Sequence, residues 1–278
     1  MMNDFFTLKN GFGYLKLNCS RVEPDYLYFE ASEANSTVRV KTMFEIVQPV
    51  LEYSYDAKTW TTCMWVISKV APGDYPFSTE TITLHNVGDR VYFRGVNPNG
   101  LGSSQGSVVT TFFMTGKLNA GGSVTSLIDG DGVSLTGIPY SGFACLFYDR
   151  YNKTPNTSLL TPPSLGNVSN IGSYGCHGMY YSCTSLTLAS DMHKVLTIGD
   201  YSLEHMYRGC SVLSSAADMS SLVTIGGNAC YEMYCDTDVE LVSNNELTFG
   251  FPELPITTTD GATISTAEGV GLWMSCHK

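Results

Sequence analysis

Charged residues are scarce in this sequence, and basic residues are the scarcest. Only 15% of the 278 residues are charged, and 15 Lys and Arg face 26 Asp and Glu, for a net charge of −11. Nucleic-acid-binding proteins neutralise phosphates with clustered Lys and Arg, and no such cluster occurs here. The composition therefore argues against partners that are nucleic acids or anionic membranes.

Long apolar runs are missing too. No segment approaches the ~18 apolar residues of a membrane-spanning helix, so we expect no membrane insertion. The opening residues 1–6 lack the basic and apolar regions of a signal peptide. We therefore expect a chain made in a cytoplasm and not exported by the usual secretory route. On the same ground we expect its nine Cys to be mainly reduced, buried thiols.

Motifs of catalytic sites are absent as well. The sequence has no Gly-x-Ser-x-Gly, no His-Glu-x-x-His and no phosphate-binding loop. Acid pairs at Glu240 and Glu246, or at Glu253 and Asp260, leave a glycan-active enzyme as a remote alternative. We predict that the chain is not an enzyme and has no catalytic residues and no cofactor.

Two groups of residues have the chemistry of metal ligands but allow simpler interpretations. Zinc sites use closely spaced Cys pairs, whereas the Cys of the repeats described below are at wider spacing. The possible zinc ligands in the repeats are Cys176, His177, Cys183, His205 and Cys210. The segment Asp129-Gly130-Asp131-Gly132 is similar to a calcium loop, but Tyr140 stands where an EF-hand needs Glu. We predict no bound metal and a boundary turn at Asp129–Gly132.

What the sequence does have is a repeat. The unit Val/Leu-x-x-Ile-Gly-x6-Met-Tyr-x-x-Cys-x-x-Leu recurs with a 27-residue step from Ile171 to Ile198 to Ile225, and the third copy loses the pattern after Met233-Tyr234. A unit this short cannot bury its own apolar face, so the units are expected to stack and share a core. The predicted core positions are Ile171, Met179, Cys183, Ile198, Met206, Cys210, Ile225 and Met233. Each unit is predicted to hold a short strand at the Ile and a short helix or turn at Met-Tyr-x-x-Cys.

The edges of the array are less regular. The segment 143–147 is interpreted as a degenerate first copy, and residues 154–170 as the place of an insertion after it. Repeats are assigned to residues 131–250, and a C-terminal cap to residues 251–278.

Residues 23–130 differ from the repeats. Short β-type runs alternate with Gly, Pro and Asn turns, which is typical of an antiparallel β-sandwich-like domain. The fold class predicted is therefore mainly β, with this domain followed by a short leucine-rich-repeat-type solenoid. The polar loop that holds Asn97 and Asn99 is a candidate for outward contacts, as are Tyr174 and Tyr201 in the repeats.

The N-terminal segment 1–22 is apolar and allows two interpretations. It is either an arm that docks on a partner chain or the first strand of the sandwich. Four aromatic residues are the candidate partner contacts: Phe5, Phe6, Phe12 and Tyr14.

Taken together, these motifs resemble BspA-like leucine-rich repeat proteins of gut Bacteroidales and of their tailed phages. The BspA-type repeat Ile-Gly-x-x-Ala-Phe-x-x-Cys-x-x-Leu is similar to Ile198-Gly199 followed by Met206-Tyr207-x-x-Cys210-x-x-Leu213. The segment Leu51–Trp60 resembles a strand-turn-strand of the sandwich that precedes such repeats. The chain departs from the family in having Tyr for Phe and no Cys in the third copy.

The resemblance implies a function in surface binding. We expect a phage virion structural protein, such as a head fibre, capsid decoration or tail adhesin, that is attached by its N-terminal part. Its expected location is the virion, and its expected partners are other virion proteins or its own copies in a homo-oligomer, with a host surface protein or glycan bound by the repeats. A bacterial cell-surface adhesin is the alternative.

Overall fold

A computed structural model describes residues 22–44, 48–67, 76–103 and 109–239, together with the backbone of six short strand segments at 5–10, 13–18, 242–243, 246–247, 256–257 and 263–264. The fold is mainly β, and the helix in the described residues is limited to α1 (Ser126–Asp129). The strands form several separate sheets.

The N-terminal segment is a hairpin. Strand β1 (Phe5–Asn10) pairs antiparallel with β2 (Gly13–Asn18), and within the described strands this pair joins no other sheet. The pairing of the described strands thus does not join this segment to the sandwich-like sheets, and both interpretations of the segment stay predictions. Phe12, one of the candidate partner contacts, lies outside the described residues.

The next part holds two larger sheets. Their strands are β3 (Leu27–Ala31), β4 (Ser36–Thr42), β5 (Leu51–Ser54), β6 (Thr61–Thr62), β7 (Val66–Ile67), β8 (Phe77–Ser78), β9 (Ile82–Leu84), β10 (Arg90–Gly95), β11 (Thr110–Thr115), β12 (Leu118–Gly121) and β14 (Leu159–Thr161). One sheet has the order β14-β12-β3-β10-β5-β6, and the other has β11-β4-β8-β7 with β9 also paired to β4. The pairing is antiparallel except between β12 and β14.

Alternating side chains explain how these sheets pack. In β3 and β4 every second residue is buried, as a strand with one covered face requires. Phe112 of one sheet lies with its ring centroid 5.2 Å from Phe29 and 5.1 Å from Phe93 of the other. The two sheets therefore face each other across an aromatic core.

Polar turns close the strands. Between β5 and β6 the Asp56 carboxylate accepts hydrogen bonds from the backbone amides of Lys58 at 2.8 Å and Thr59 at 2.7 Å. These hydrogen bonds are the main reason why the pKa of Asp56 lies well below its usual range.

The repeats form a parallel ladder. Strands β13 (Gly137–Ile138), β15 (Asn170–Ile171), β16 (Thr197–Ile198) and β17 (Thr224–Ile225) pair in that order. Ile138, Ile171, Ile198 and Ile225 face one another in register. The step from Ile138 to Ile171 is longer than the two that follow, which both have the period of the repeat.

After each strand the chain runs through consecutive turns instead of a helix. We number the units by their strands, so that the first to fourth units begin with β13, β15, β16 and β17. Within the second unit, Gly175, His177, Met179 and Tyr181 donate their amides to the carbonyls three residues back along the chain. The residues between them donate to the next unit, from Cys176 to the carbonyl of Ser202 and from Gly178 to that of Glu204. Each amide is thus paired either within its turn or across the stack.

The longer first step comes from a small loop. Phe147 stacks on Tyr180, and the sequence separation of these two residues exceeds one repeat period. Asn156 forms a bridge with Cys183, and their separation equals one period. The extra residues of the first unit are therefore inserted between Phe147 and Asn156. Asp149 and Thr154 form a bridge that closes this loop. The insertion thus lies earlier than residues 154–170, where the sequence composition had suggested it.

Rows of equivalent side chains fill the interior of the stack. The predicted core positions Ile171, Met179, Cys183, Ile198, Met206, Cys210, Ile225 and Met233 are all buried. Rings stack from Phe147 through Tyr180 and Tyr207 to Tyr234 at centroid distances of 5.2, 5.3 and 5.5 Å, with interplanar angles of 8° or less.

The described cysteines are in two states. Six are free and buried: Cys63, Cys145, Cys176, Cys183, Cys210 and Cys230. Cys235, by contrast, is disulfide-bonded, which departs from the expectation of reduced thiols.

One continuous core joins the sheets and the stack, and it crosses the boundary predicted at 130/131. Phe147 of the first unit lies 6.2 Å from Phe29 and 5.9 Å from Phe112 of the facing sheets, and 5.2 Å from Tyr180 of the second unit. Beyond residue 239, β18 (Val242–Ser243) pairs with β19 (Glu246–Leu247), and β20 (Ile256–Thr257) pairs with β21 (Thr263–Ile264). The rest of the predicted cap at 251–278 lies outside the described residues.

Candidate binding surface

The runs of turns present one polar and aromatic surface, which we call the turn face. Its exposed and half-buried residues are Tyr140, Tyr174, His177, Tyr181, Tyr201, Glu204, His205, Arg208 and Tyr231, and the buried Glu232 pairs with His205 and Arg208. In a stack of repeats, residues one period apart in sequence become neighbours, so contacts on this face follow that spacing.

The backbone of the turn face is shaped by left-handed residues at every fourth position. In the second unit these are Tyr174, Gly178 and Ser182, with φ of 57°, 55° and 55°. In the third they are Tyr201, His205 and Gly209, with φ of 56°, 56° and 74°. A left-handed conformation costs a residue with a side chain about 1–2 kcal/mol, which the hydrogen bonds between units offset.

A row of tyrosines runs along one side of the turn face. The ring of Tyr174 lies 5.6 Å from Tyr140 and 5.0 Å from Tyr201, and the second pair is stacked with an interplanar angle of 12°. Tyr140 is exposed and the other two are half-buried. Tyr174 and Tyr201, predicted as outward contacts, thus lie side by side at the surface.

Beside this row lies a cluster of histidine and glutamate side chains. Nδ1 of His177 is 3.1 Å from Oε2 of Glu204, and Nε2 of His205 is 3.2 Å from Oε2 of Glu232. Arg208 pairs with the same Glu232 oxygen, and its Nη1 lies 3.4 Å from Nε2 of His205. Each of the three contacts with a glutamate joins two successive units, whereas His205 and Arg208 belong to the same unit.

Burial is the largest influence on His205 and lowers its pKa, and the charges of His177 and Arg208 lower it further, against the raising effect of Glu204 and Glu232. Neutral imidazole is therefore the main form at pH 7. The ring also contacts aromatic neighbours, with centroids 6.2 Å from Tyr181 and 5.8 Å from Tyr231.

The cluster differs from the Cys and His set that the sequence suggested for zinc. Cys176, Cys183 and Cys210 are in the interior of the stack. His177 and His205 come together instead with Glu204, each offering one ligand atom, and these atoms lie within 4.8 Å of one another. Sequence reasoning missed Glu204, although its position one repeat period after His177 was a usable signal.

One predicted outward contact is wrong. Asn97 is buried because its side chain binds backbone: Oδ1 accepts from the amide of Val50, and Nδ2 donates to the carbonyls of Val50 at 2.9 Å and Leu127 at 2.7 Å. Asn97 therefore joins α1 to the β5 region and is not available to a ligand. Asn99 of the same loop is exposed.

The acidic segment at the end of α1 is held by backbone. Asp129 accepts hydrogen bonds from the amides of Asp131, Gly132 and Leu135. Asp131 accepts from Val133 and Ser134. The two carboxylates therefore stabilise a backbone turn, and a turn is what the sequence predicts for this segment.

Other candidates lie beyond what the structure describes. The side chains of Phe5, Phe6 and Tyr14 are among them, as is that of Glu246. Glu240, Glu253 and Asp260 lie outside the described residues altogether.

Comparison of the chain with protein-family models, with curated proteins and with solved structures finds no match. Among the described residues, no helix has the length and hydropathy needed to cross a membrane.

Proposed function

We propose that the chain is a phage virion structural protein, attached by its N-terminal part and presenting its repeat units for binding to a host surface. In this proposal the units form a short leucine-rich-repeat-type solenoid of the BspA-like kind, behind a β-sandwich-like domain. The support for the fold is the parallel ladder with its regular step, together with the Ile-Gly and Met-Tyr-x-x-Cys motifs.

The observation that carries the binding role is the tyrosine row of the turn face. Tyr140, Tyr174 and Tyr201 line up across three units, with neighbouring rings 5.6 and 5.0 Å apart. Tyrosine combines a large apolar surface with a hydroxyl, which suits contact with a host surface protein or a glycan. Several copies of the chain on one particle would turn weak contacts into strong attachment.

The N-terminal hairpin supports the attachment role. A two-stranded hairpin is marginally stable in water by itself, and β1 and β2 pair with no other described strand. In this proposal a partner surface, either another virion protein or a second copy of this chain, packs against the hairpin and stabilises it.

The first experiment locates the chain. Phage particles purified by density gradient from a host that expresses the chain should contain it, as measured by mass spectrometry. Recovery in the outer-membrane fraction of uninfected cells would favour a bacterial surface adhesin instead. A chain lacking residues 1–20 should be absent from the particles and yet show the thermal unfolding of the full chain.

The second experiment tests the tyrosine row. The double variant Tyr174→Ala with Tyr201→Ala should reduce binding of purified protein to host cells, measured by flow cytometry with labelled protein. The matched control is Tyr55→Ala, because Tyr55 is 59% exposed and lies far from the repeats in sequence, in the β5–β6 turn. Equal binding by both variants would contradict a role for the row.

A further inference from the structure

We propose that His177, Glu204 and His205 form a binding site for a divalent transition-metal cation of the zinc type, which would link the second and third repeat units. This inference does not depend on the proposed function, since a metal link would serve any protein built from this stack.

The donor set suits such a cation. Two imidazole nitrogens and one carboxylate oxygen are among the ligands that zinc prefers, and three protein ligands leave one position open. One ligand atom from each residue lies within 4.8 Å of the other two. Zinc–ligand bonds of about 2.0–2.2 Å place tetrahedral ligand atoms about 3.3 Å apart, and Nδ1 of His177 is already 3.1 Å from Oε2 of Glu204.

His177 also carries an unmet requirement. Its Nδ1 is buried and has no hydrogen-bond partner, because the contact with Glu204 has the distance of a hydrogen bond but not its geometry. A buried nitrogen without a partner costs free energy. A cation between the imidazole and the carboxylate would satisfy both groups at once.

A second layer of residues orients the site. His ligands of metals usually donate their other ring N–H to a carboxylate. Nε2 of His205 lies 3.2 Å from Oε2 of Glu232, which leaves Nδ1 of His205 as the nitrogen for the cation. Arg208 pairs with Glu232 and compensates its charge, so the positive guanidinium faces the carboxylate behind the ligand.

The stack itself explains the convergence. His177 and Glu204 are equivalent positions in successive units, and His205 follows Glu204 directly. Residues from two units therefore meet without any loop having to fold over the site. A cation there would connect the second and third units through side chains, in addition to the backbone bonds from Cys176 to Ser202 and from Gly178 to Glu204.

The test uses the full chain without an affinity tag. The protein is stripped with EDTA, incubated with zinc chloride, passed through a desalting column and measured for zinc by mass spectrometry. We expect about one equivalent of zinc per chain, a higher Tm with zinc than with EDTA, and tetrahedral cobalt absorption when Co²⁺ replaces zinc.

Variants assign the site. His177→Gln, His205→Gln and the near-isosteric Glu204→Gln should each lose the zinc and the rise in Tm. Glu232→Gln should weaken zinc binding about 10–100-fold, as the loss of an orienting carboxylate does. The control is His193→Gln, because His193 is an exposed histidine paired with Asp191, and it should retain the zinc.

Two results would overturn the proposal. One is a wild-type chain that retains no zinc, which would leave the cluster as ordinary His–Glu ion pairs. The other is zinc retained equally by the His177, Glu204 and His205 variants, which would place the metal elsewhere. The Tm of each variant in EDTA shows that it is folded, and Glu204→Gln keeps the test valid if a histidine variant is not.

Discussion

The stacked tyrosines of the interior differ in what their hydroxyls bind. The hydroxyl of Tyr207 accepts a hydrogen bond from the amide of Ser190 at 2.8 Å. The hydroxyl of Tyr180 forms a hydrogen bond with the hydroxyl of Ser190 at 2.9 Å. The Ser190 hydroxyl also donates to the carbonyl of Pro163 at 3.4 Å. A buried amide has no second choice of partner, whereas the serine hydroxyl does.

We therefore predict that Tyr207→Phe destabilises the protein by about 1–3 kcal/mol, the usual cost of leaving a buried donor unpaired. Tyr180→Phe is the matched control and should cost less, because Ser190 can turn to Pro163. Urea denaturation of both variants measures the difference. Equal losses would show that the Ser190 amide finds another acceptor.

The thiols of Cys183 and Cys210 are governed by burial. Both are free and fully enclosed, and the Cys210 thiol donates to the carbonyl of Tyr180 at 3.1 Å. Burial raises the pKa of Cys210 to about 12 and raises that of Cys183 well above its ordinary value.

At pH 8 neither thiol should react with iodoacetamide in the folded protein, because the reactive species is the thiolate and the reagent has no access. After unfolding in guanidinium both should be labelled, as peptide mapping by mass spectrometry would detect. Labelling of either in the native protein, or failure to label either one after unfolding without reductant, would contradict this account.

At the scale of elements, the glycines after Ile198 and Ile225 allow close approach of neighbouring units. Gly226 has no positive φ, and a Cβ there would lie 2.3 Å from the backbone of both Gly199 and Asp200. At Gly199 the nearest atom would be the Ser173 amide nitrogen at 2.7 Å. The left-handed turn residue stands two positions further on, at Tyr174 and Tyr201.

Gly226→Ala should consequently lower the free energy of unfolding by about 1–3 kcal/mol, since the backbone of the preceding unit must move. Gly227→Ala is the control, because a Cβ there meets only Oδ1 of Asp200 at 3.6 Å. It should change stability by less than about 0.5 kcal/mol. Thermal unfolding measures the stability of both variants. A loss in Gly226→Ala alone indicates that close approach of the units requires the glycine, whereas equal losses would indicate turn geometry.

These elements also show how far sequence reasoning reaches. The ladder could be predicted because Ile171, Ile198 and Ile225 repeat the period of the stack in the sequence itself. The choice of turns over a helix could not be predicted, because Tyr and Met three and four residues before Cys suit a helix and a run of turns equally. Predicting the His–Glu cluster requires knowing that the units stack in register. The burial of Asn97 depends on the backbone of Val50, just before β5, and of Leu127 in α1, both of which are distant in sequence.

At the scale of the whole molecule, the decisive residue is Phe147. It belongs to the first repeat unit, yet its ring packs against both Phe29 and Phe112 of the facing sheets and stacks on Tyr180 of the next unit. Strand β14, which pairs with β12 of the larger sheet, is also part of that unit. The sheets and the stack therefore share both a core and a sheet, and neither part has an independent surface at their junction.

We predict that the described parts unfold together, in one transition seen alike by circular dichroism and tryptophan fluorescence. Phe147→Ala should cost about 3–5 kcal/mol, as the loss of a buried phenylalanine does. Hydrogen exchange should show a loss of amide protection in peptides of β3 and β11 as well as in those of β15 and β16, because the cavity lies between them.

Tyr140→Ala, which removes an exposed ring from the same unit, should leave both sets of peptides protected. Two separate transitions, or a loss of protection confined to the stack in Phe147→Ala, would mean that the sheets and the repeats fold independently.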